Sequence, residues 1–228
     1  SLALDADGQP HVSYLDSLDV NLKYAYRDAS GWHVETVQSE GYVGWETSIA
    51  VDAEGYPHIS YQNWDAGLEY AYLDASGWHT ETIDYLWTDG GHPSLALDGE
   101  GNPHISYFDG HPNYNLNYAY LDTSGWHTET IDSTGAYGAS SLALDGEEHA
   151  HVTYGDFYTG LKYAYLDASG WHTETVDSQG AATPSLGLDS DGNPHISYED
   201  MDNDDLKRAY LTNSGWHTET VDSEGLVG

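Results

Sequence analysis

The sequence predicts an all-β protein, a five-bladed β-propeller with four antiparallel strands per blade and no strand exchange at the closure, on three observations. Ser-Gly-Trp-His occurs five times, at Ser30 to His33, Ser76 to His79, Ser124 to His127, Ser169 to His172 and Ser214 to His217. Each occurrence sits in the same longer frame, dividing the chain into a single propeller of copies 1–47, 48–93, 94–140, 141–184 and 185–228. Within a copy, apolar and β-branched residues alternate with a period of two, and helical spacing never persists. A repeat of about 40 to 50 residues built in this way is a propeller blade rather than a helical solenoid.

The fifth copy shows each element in order. Ser185-Leu186-Gly187-Leu188-Asp189 is a short apolar strand A, ended by the turn residues Asp189-Ser190-Asp191-Gly192-Asn193-Pro194. Strand B follows at His195-Ile196-Ser197-Tyr198, and strand C at Leu206 to Leu211. After Thr212-Asn213-Ser214-Gly215, strand D runs through Trp216-His217-Thr218-Glu219-Thr220-Val221, rich in β-branched and aromatic residues. One such sheet buries too little surface alone, so neighbours must pack face to face, and the 20 Tyr and 8 Trp supply the bulk.

Composition narrows the function. Thirty-nine acidic residues against five basic ones give a net charge of -34, which repels nucleic acid and anionic lipid. Three readings of the acidity stand: screening by high salt or divalent cations, solubility outside the cell, or specific cation binding. No cysteine is present, so disulfides and thiol chemistry contribute nothing. No apolar run approaches the roughly 20 residues of a membrane helix, which excludes membrane insertion by a helix. Glu224-Gly225-Leu226-Val227-Gly228 matches Glu40-Gly41-Tyr42-Val43-Gly44, a link leading into another copy, so the chain reads as a piece excised or processed from a longer protein.

Strand direction sorts the connections into two ends. The A–B and C–D turns, Asp-x-x-Gly and Asp-Ala-Ser-Gly, are monotonous. The B–C loops and D–A links at the other end vary in length and carry the aromatics that break the repeat: Trp45, Trp64, Trp87, Tyr114, Tyr137, Phe157 and Tyr158. Variable loops on a rigid scaffold are where binding residues sit, and an aromatic face flanked by carboxylates and amides suits a pyranose. The competing reading is that these rings cap the sheet ends.

Other constellations have two readings each. After strand B, Asp16, Asn63, Asp109, Asp156 and Asp200 place oxygen ligands at equivalent positions, which suits Ca²⁺, or else each accepts N–H bonds from its own B–C loop. Asp5-Asp7-Gly8 and Asp189-Asp191-Gly192 lack the further ligands of an EF-hand. His and Glu two apart in strand D, such as His33 with Glu35 and His79 with Glu81, share a face but supply too few ligands for zinc, and read as a ladder between blades. The Trp of Ser-Gly-Trp-His reads as packing between blades or as one wall of five equivalent pockets, and packing is favoured because it follows a turn glycine at the monotonous end.

Leu97 to Tyr107 and Leu188 to Tyr198 carry the frame Leu-Asp-x-x-Gly-Asn-Pro-His-Ile-Ser-Tyr. This frame resembles the strand, turn and strand of NHL-type and sialidase-like propeller repeats. Five blades with a repeated Gly-Trp also resemble the tachylectin type of five-bladed lectin, without its sugar-contact motifs. Catalysis needs a locally unique acid, base and orienting partner, which near-identical copies oppose. The expected function is therefore a non-enzymatic extracellular or cell-surface module binding carbohydrate, a glycan or surface polymer, multivalently through the variable loops. The alternatives are an acidic structural block of a larger surface protein or fibre, self-associating or joined to neighbouring domains, and, less favoured, a glycoside hydrolase using two carboxylates.

Overall fold

The computed structural model describes residues 1–85, 91–134, 138–156 and 159–224, with the backbone alone for Asp156. Its strands form five antiparallel sheets of four. Sheet 1 holds β1 (Leu2–Leu4), β2 (Pro10–Asp16), β3 (Asn21–Asp28) and β4 (Gly31–Gln38). Sheet 2 holds β5 (Val43–Val51), β6 (Pro57–Asn63), β7 (Gly67–Asp74) and β8 (Gly77–Asp84). Sheet 3 holds β9 (Gly91–Leu97), β10 (Pro103–Phe108), β11 (Leu116–Asp122) and β12 (Gly125–Asp132). Sheet 4 holds β13 (Ser140–Leu144), β14 (Ala150–Asp156), β15 (Gly160–Asp167) and β16 (Gly170–Asp177). Sheet 5 holds β17 (Ala181–Leu188), β18 (Pro194–Asp200), β19 (Asp205–Thr212) and β20 (Gly215–Asp222). Each sheet is a meander in chain order, a propeller-like repeat.

Local chemistry sets the turns. In the first A–B turn, Asp5 Oδ1 accepts from the backbone N–H of Asp7 (3.0 Å) and Gln9 (2.7 Å), while Gly8 takes a positive φ of 75°. Asp52, Asp98, Asp145 and Asp189 cap their turns in the same way. Sheet 4 has Glu148 where other copies have glycine, and it holds φ 67°, a left-handed conformation costly for a residue with a Cβ.

The chain divides into two compact units. One is Ser1–Asn113 with Tyr118–Glu129, the other Tyr114–Asn117 with Thr130–Gly228. In the first, Leu22, Tyr24 and Val43 pack with Ile49, Ile59 and Tyr61 between sheets 1 and 2, and Leu68 and Tyr70 with Leu95, Ile105 and Tyr107 between sheets 2 and 3. In the second, Leu161 and Tyr163 pack with Ile196 and Tyr198 between sheets 4 and 5. Each such buried Leu or Ile contributes about 1.5–3 kcal/mol.

A repeated lock lies on these cores. Trp78 donates its indole N–H to Glu35 (2.9 Å), Trp126 to Glu81 (2.8 Å) and Trp216 to Glu174 (2.9 Å). The same indoles meet Tyr24, Tyr70 and Tyr163 edge-on at 5.1–5.3 Å between ring centroids. The Trp of Ser-Gly-Trp-His is thus a packing residue at these junctions, and the strand D Glu is its acceptor on the preceding sheet.

The expectation of a closed five-bladed ring with an unexchanged seam needs correction. Five copies give five sheets, but copy number alone specifies neither how many blades a ring has nor how it closes.

Candidate functional site

The variable ends of the sheets are built jointly by a link and the loop that follows it. Before sheet 2, the link brings Gly41 against Asn63 and Asp65, and the Trp64 N–H donates to the Tyr42 carbonyl (3.1 Å). Gly44, at φ 90°, lies so close to sheet 1 that a Cβ there would meet the Leu22 Cα at 3.0 Å. Before sheet 5, the Met201 N–H donates to the Gly180 carbonyl (2.9 Å), and the Gly180 N–H to Asp202 Oδ2 (3.2 Å).

Of the aromatics predicted from the sequence, Trp45 and Trp64 come together. Their rings are 5.3 Å apart between centroids at 37°, and they remain 37 % and 45 % exposed. Beside Trp45, Glu46 takes a left-handed φ of 48°. Its carboxylate accepts the His92 backbone N–H (3.0 Å) and pairs with His92 Nδ1 (3.2 Å). These contacts fix the backbone beneath the Trp45 ring. Tyr42 is exposed nearby in the link. Tyr114 lies in the loop after β10, half-buried at φ 52°. Trp87, Tyr137, Phe157 and Tyr158 lie outside the described residues.

The five oxygen positions after strand B stay in separate loops. Asp16 accepts the Leu18 N–H (3.2 Å) and Asn63 that of Asp65 (2.9 Å). Asp200, 1 % exposed, accepts from the Asp202 N–H (3.1 Å) and Asn203 Nδ2 (3.0 Å), with Lys207 Nζ 3.4 Å away. Asp109 is half-buried after β10, and the Asp156 side chain lies outside the described residues. Among the described residues, no group of three or more His, Asp and Glu forms a metal site.

Sequence reasoning missed two departures on strand C. The first is Arg208, where the other copies have Tyr24, Tyr70, Tyr118 and Tyr163. It lines a cleft of about 340 Å³ with Ser197 and His195, donates to Glu219 (2.9 Å), contacts His195 Nδ1 (2.8 Å), and lies over the Tyr210 ring. In the other copies this histidine meets the tyrosine hydroxyl instead, as His11 does with Tyr24 and His58 with Tyr70. The loss of one repeated tyrosine was the signal.

The second departure is one position earlier, where Lys23, Glu69, Asn117, Lys162 and Lys207 correspond. Lys162 reaches Asp132 (2.9 Å) over the Tyr154 ring, and Lys207 reaches Asp177 (2.6 Å) over that of Tyr198. Burial pushes the Asp177 carboxyl up, but bonds from Lys207 and Tyr198 outweigh it and hold the pKa below the usual range. In sheet 2 the place of the lysine is taken by Glu69, 6 % exposed, whose Oε2 has no hydrogen-bond partner, and Gln38 replaces the aspartate. The signal here was a paired exchange, Lys to Glu with Asp to Gln.

No protein-family model matches the chain, and none of the curated proteins does. Solved structures do. SapL1 lectin in complex with alpha methyl fucoside is 18 % identical at a TM-score of 0.71, over 96 % of this chain and 79 % of that one. A fucose-recognising lectin of the fungus Aleuria aurantia, a six-bladed β-propeller, is 13 % identical at 0.65, over 99 % and 78 %. A protein of unknown function from Dyadobacter fermentans is 9 % identical at 0.67, over 100 % and 83 %. The five sheets of this chain thus align with a protein of six blades, which is why copy number does not define a closed five-bladed ring. The likeness establishes a β-propeller type of fold, and the neighbours named by function are lectins, not enzymes.

Proposed function

We propose that this protein is a non-enzymatic carbohydrate-binding module acting outside the cell or at its surface. The observation that carries the reading is the exposed Trp45–Trp64 pair, held rigidly by the Glu46–His92 contacts. Two indoles in solvent are costly unless a ligand covers them, and their faces match the C–H faces of a pyranose while Asp65 and the loop backbone offer hydrogen bonds. The net charge of -34 favours a neutral sugar over an anionic one. Fucoside complexes of the similarly folded lectins support this ligand class.

A glycan array probed with the protein, with and without Ca²⁺, tests the reading. Binding to neutral glycans that is lost in Trp64→Ala is the expected result, and silence on every sugar would overturn it. Titration of a positive glycan, followed by tryptophan fluorescence, gives the number of sites and separates a single platform from a multivalent array.

A further inference from the structure

One place on strand C holds a lysine in three copies, Lys23, Lys162 and Lys207, and sheet 2 puts Glu69 there instead. Lys162 Nζ donates to Asp132 Oδ2 (2.9 Å) and Thr134 Oγ1 (3.0 Å), and Tyr154 donates its hydroxyl to the same Asp132 oxygen (2.7 Å). Lys207 Nζ donates to Asp177 Oδ2 (2.6 Å), which also accepts the Tyr198 hydroxyl (2.6 Å). In both copies an ammonium meets a carboxylate in a half-buried place, and neither charge is left alone.

The place held by Glu69 has the same row of neighbours without the ammonium. Tyr61, Glu69 and Thr82 lie in register on β6, β7 and β8. Tyr61 donates to Gln38 Oε1, as Tyr198 does to Asp177, and Thr82 Oγ1 donates to Glu69 Oε1 (3.4 Å). Gln38 directs its amide nitrogen elsewhere, to the Glu40 carbonyl (3.4 Å). These donors are spent on other oxygens, and Glu69 Oε2 has no hydrogen-bond partner although the residue is only 6 % exposed. A buried carboxylate without a counter-charge is strongly unfavourable. Sheet 3 avoids the problem by placing the neutral Asn117 at this position, with the Tyr107 hydroxyl donated to Asp84.

We infer that a free monovalent cation of ammonium size, the class of potassium, binds between Glu69 Oε2, Gln38 Oε1 and the Tyr61 oxygen, in place of the missing lysine head. Monovalence follows from the charge: one carboxylate beside a neutral amide carries a single negative charge, which a divalent ion would overshoot. The donors are all oxygens, which suits a hard cation, and most are neutral, so the site needs no group of three acids or histidines. The net charge of -34 enriches cations around the molecule. Gln38 ends β4, and its contact with Glu40 opens the link that carries Tyr42 and Trp45, so the cation also braces the start of that link.

The test is calorimetry at constant ionic strength, with tetramethylammonium chloride replaced stepwise by potassium chloride. Tetramethylammonium screens charge equally but is too bulky for a place the size of a lysine head. The expected result for the wild type is an unfolding midpoint about 2–4 °C higher in potassium. Glu69→Gln keeps the side-chain shape, removes the charge and should lose this rise. Glu69→Lys combined with Gln38→Asp supplies its own ammonium and should not respond either. Rubidium soaked into crystals, an anomalously scattering stand-in for potassium, should give a peak beside Glu69 and Gln38. A wild-type midpoint indifferent to the exchange, a rise of equal size in Glu69→Gln, stabilisation by calcium but not potassium, or crystals without that peak would each overturn the inference.

Discussion

Exchanging Glu69→Lys together with Gln38→Asp should stabilise the protein. Glu69 is buried with its Oε2 lacking a hydrogen-bond partner, and Tyr61 donates to Gln38 beside it. Burial, then the Glu69 carboxylate, push the Tyr61 hydroxyl above its usual range. An unsatisfied buried polar group costs about 1–3 kcal/mol, and the double variant removes it while installing the Lys–Asp pair already present as Lys162–Asp132 and Lys207–Asp177. A gain of about 2 kcal/mol corresponds to roughly 4–8 °C in the unfolding midpoint. Gln38→Asp alone places two carboxylates around one phenol and should destabilise, whereas Glu69→Lys alone lacks its counter-charge. Calorimetry of the four proteins closes a double-mutant cycle, with coupling above about 1 kcal/mol expected. A double variant no more stable than wild type, or effects that simply add, would refute the reasoning.

Asp132→Asn strands the Lys162 ammonium in a half-buried site and should cost about 3–5 kcal/mol in a urea titration, against near-neutral behaviour for an exposed acid such as Glu54. Glu148→Gly relieves the left-handed φ of 67° and should raise stability by about 1 kcal/mol, visible as a shifted urea midpoint at constant slope. Asp74, Asp122 and Asp167 are held at about 2, below an ordinary 3.8, by bonds from Ser76, Ser124 and Ser169 and then from the neighbouring histidines. Their folded pKa lies below the unfolded one, so their contribution is complete above about pH 4 and is lost as pH falls through about 2. NMR titration of Ser76→Ala should show the Asp74 carboxyl moving back up, and an unchanged titration would rule out the hydroxyl as the main cause.

Twenty strands were legible because each boundary carries its own chemistry, such as the Asp5 to Gln9 turn, and each interior alternates with period two. The starts of β5, β9 and β17 were harder to see, since they run through links without alternation and bulge at Glu46, His92 and Thr183, non-glycine residues at positive φ. Blade number and closure were illegible, because near-identical copies repeat the chemistry of one sheet and carry no residue that says how many sheets a ring takes. For the candidate site, Trp45 and Trp64 were recognisable as aromatics out of register with the repeat. Their pairing was not, as it arises from a link and a loop 19 residues apart meeting at Tyr42 and Trp64. Arg208 and Glu69 were passed over because each hides within an otherwise faithful strand C, and only comparison column by column reveals the changed charge.

Within each unit the indole-to-carboxylate lock joins a sheet to its immediate neighbour, at separations of 42 to 45 residues. A molecule assembled by such contacts can gain or lose whole repeats by duplication or deletion of a gene segment, because every new unit arrives with both halves of its own fastening. Damage to one fastening weakens one joint and leaves the others intact. The array therefore tolerates drift within single repeats, and an Arg208 or a Glu69 can arise in one unit while its siblings preserve the frame.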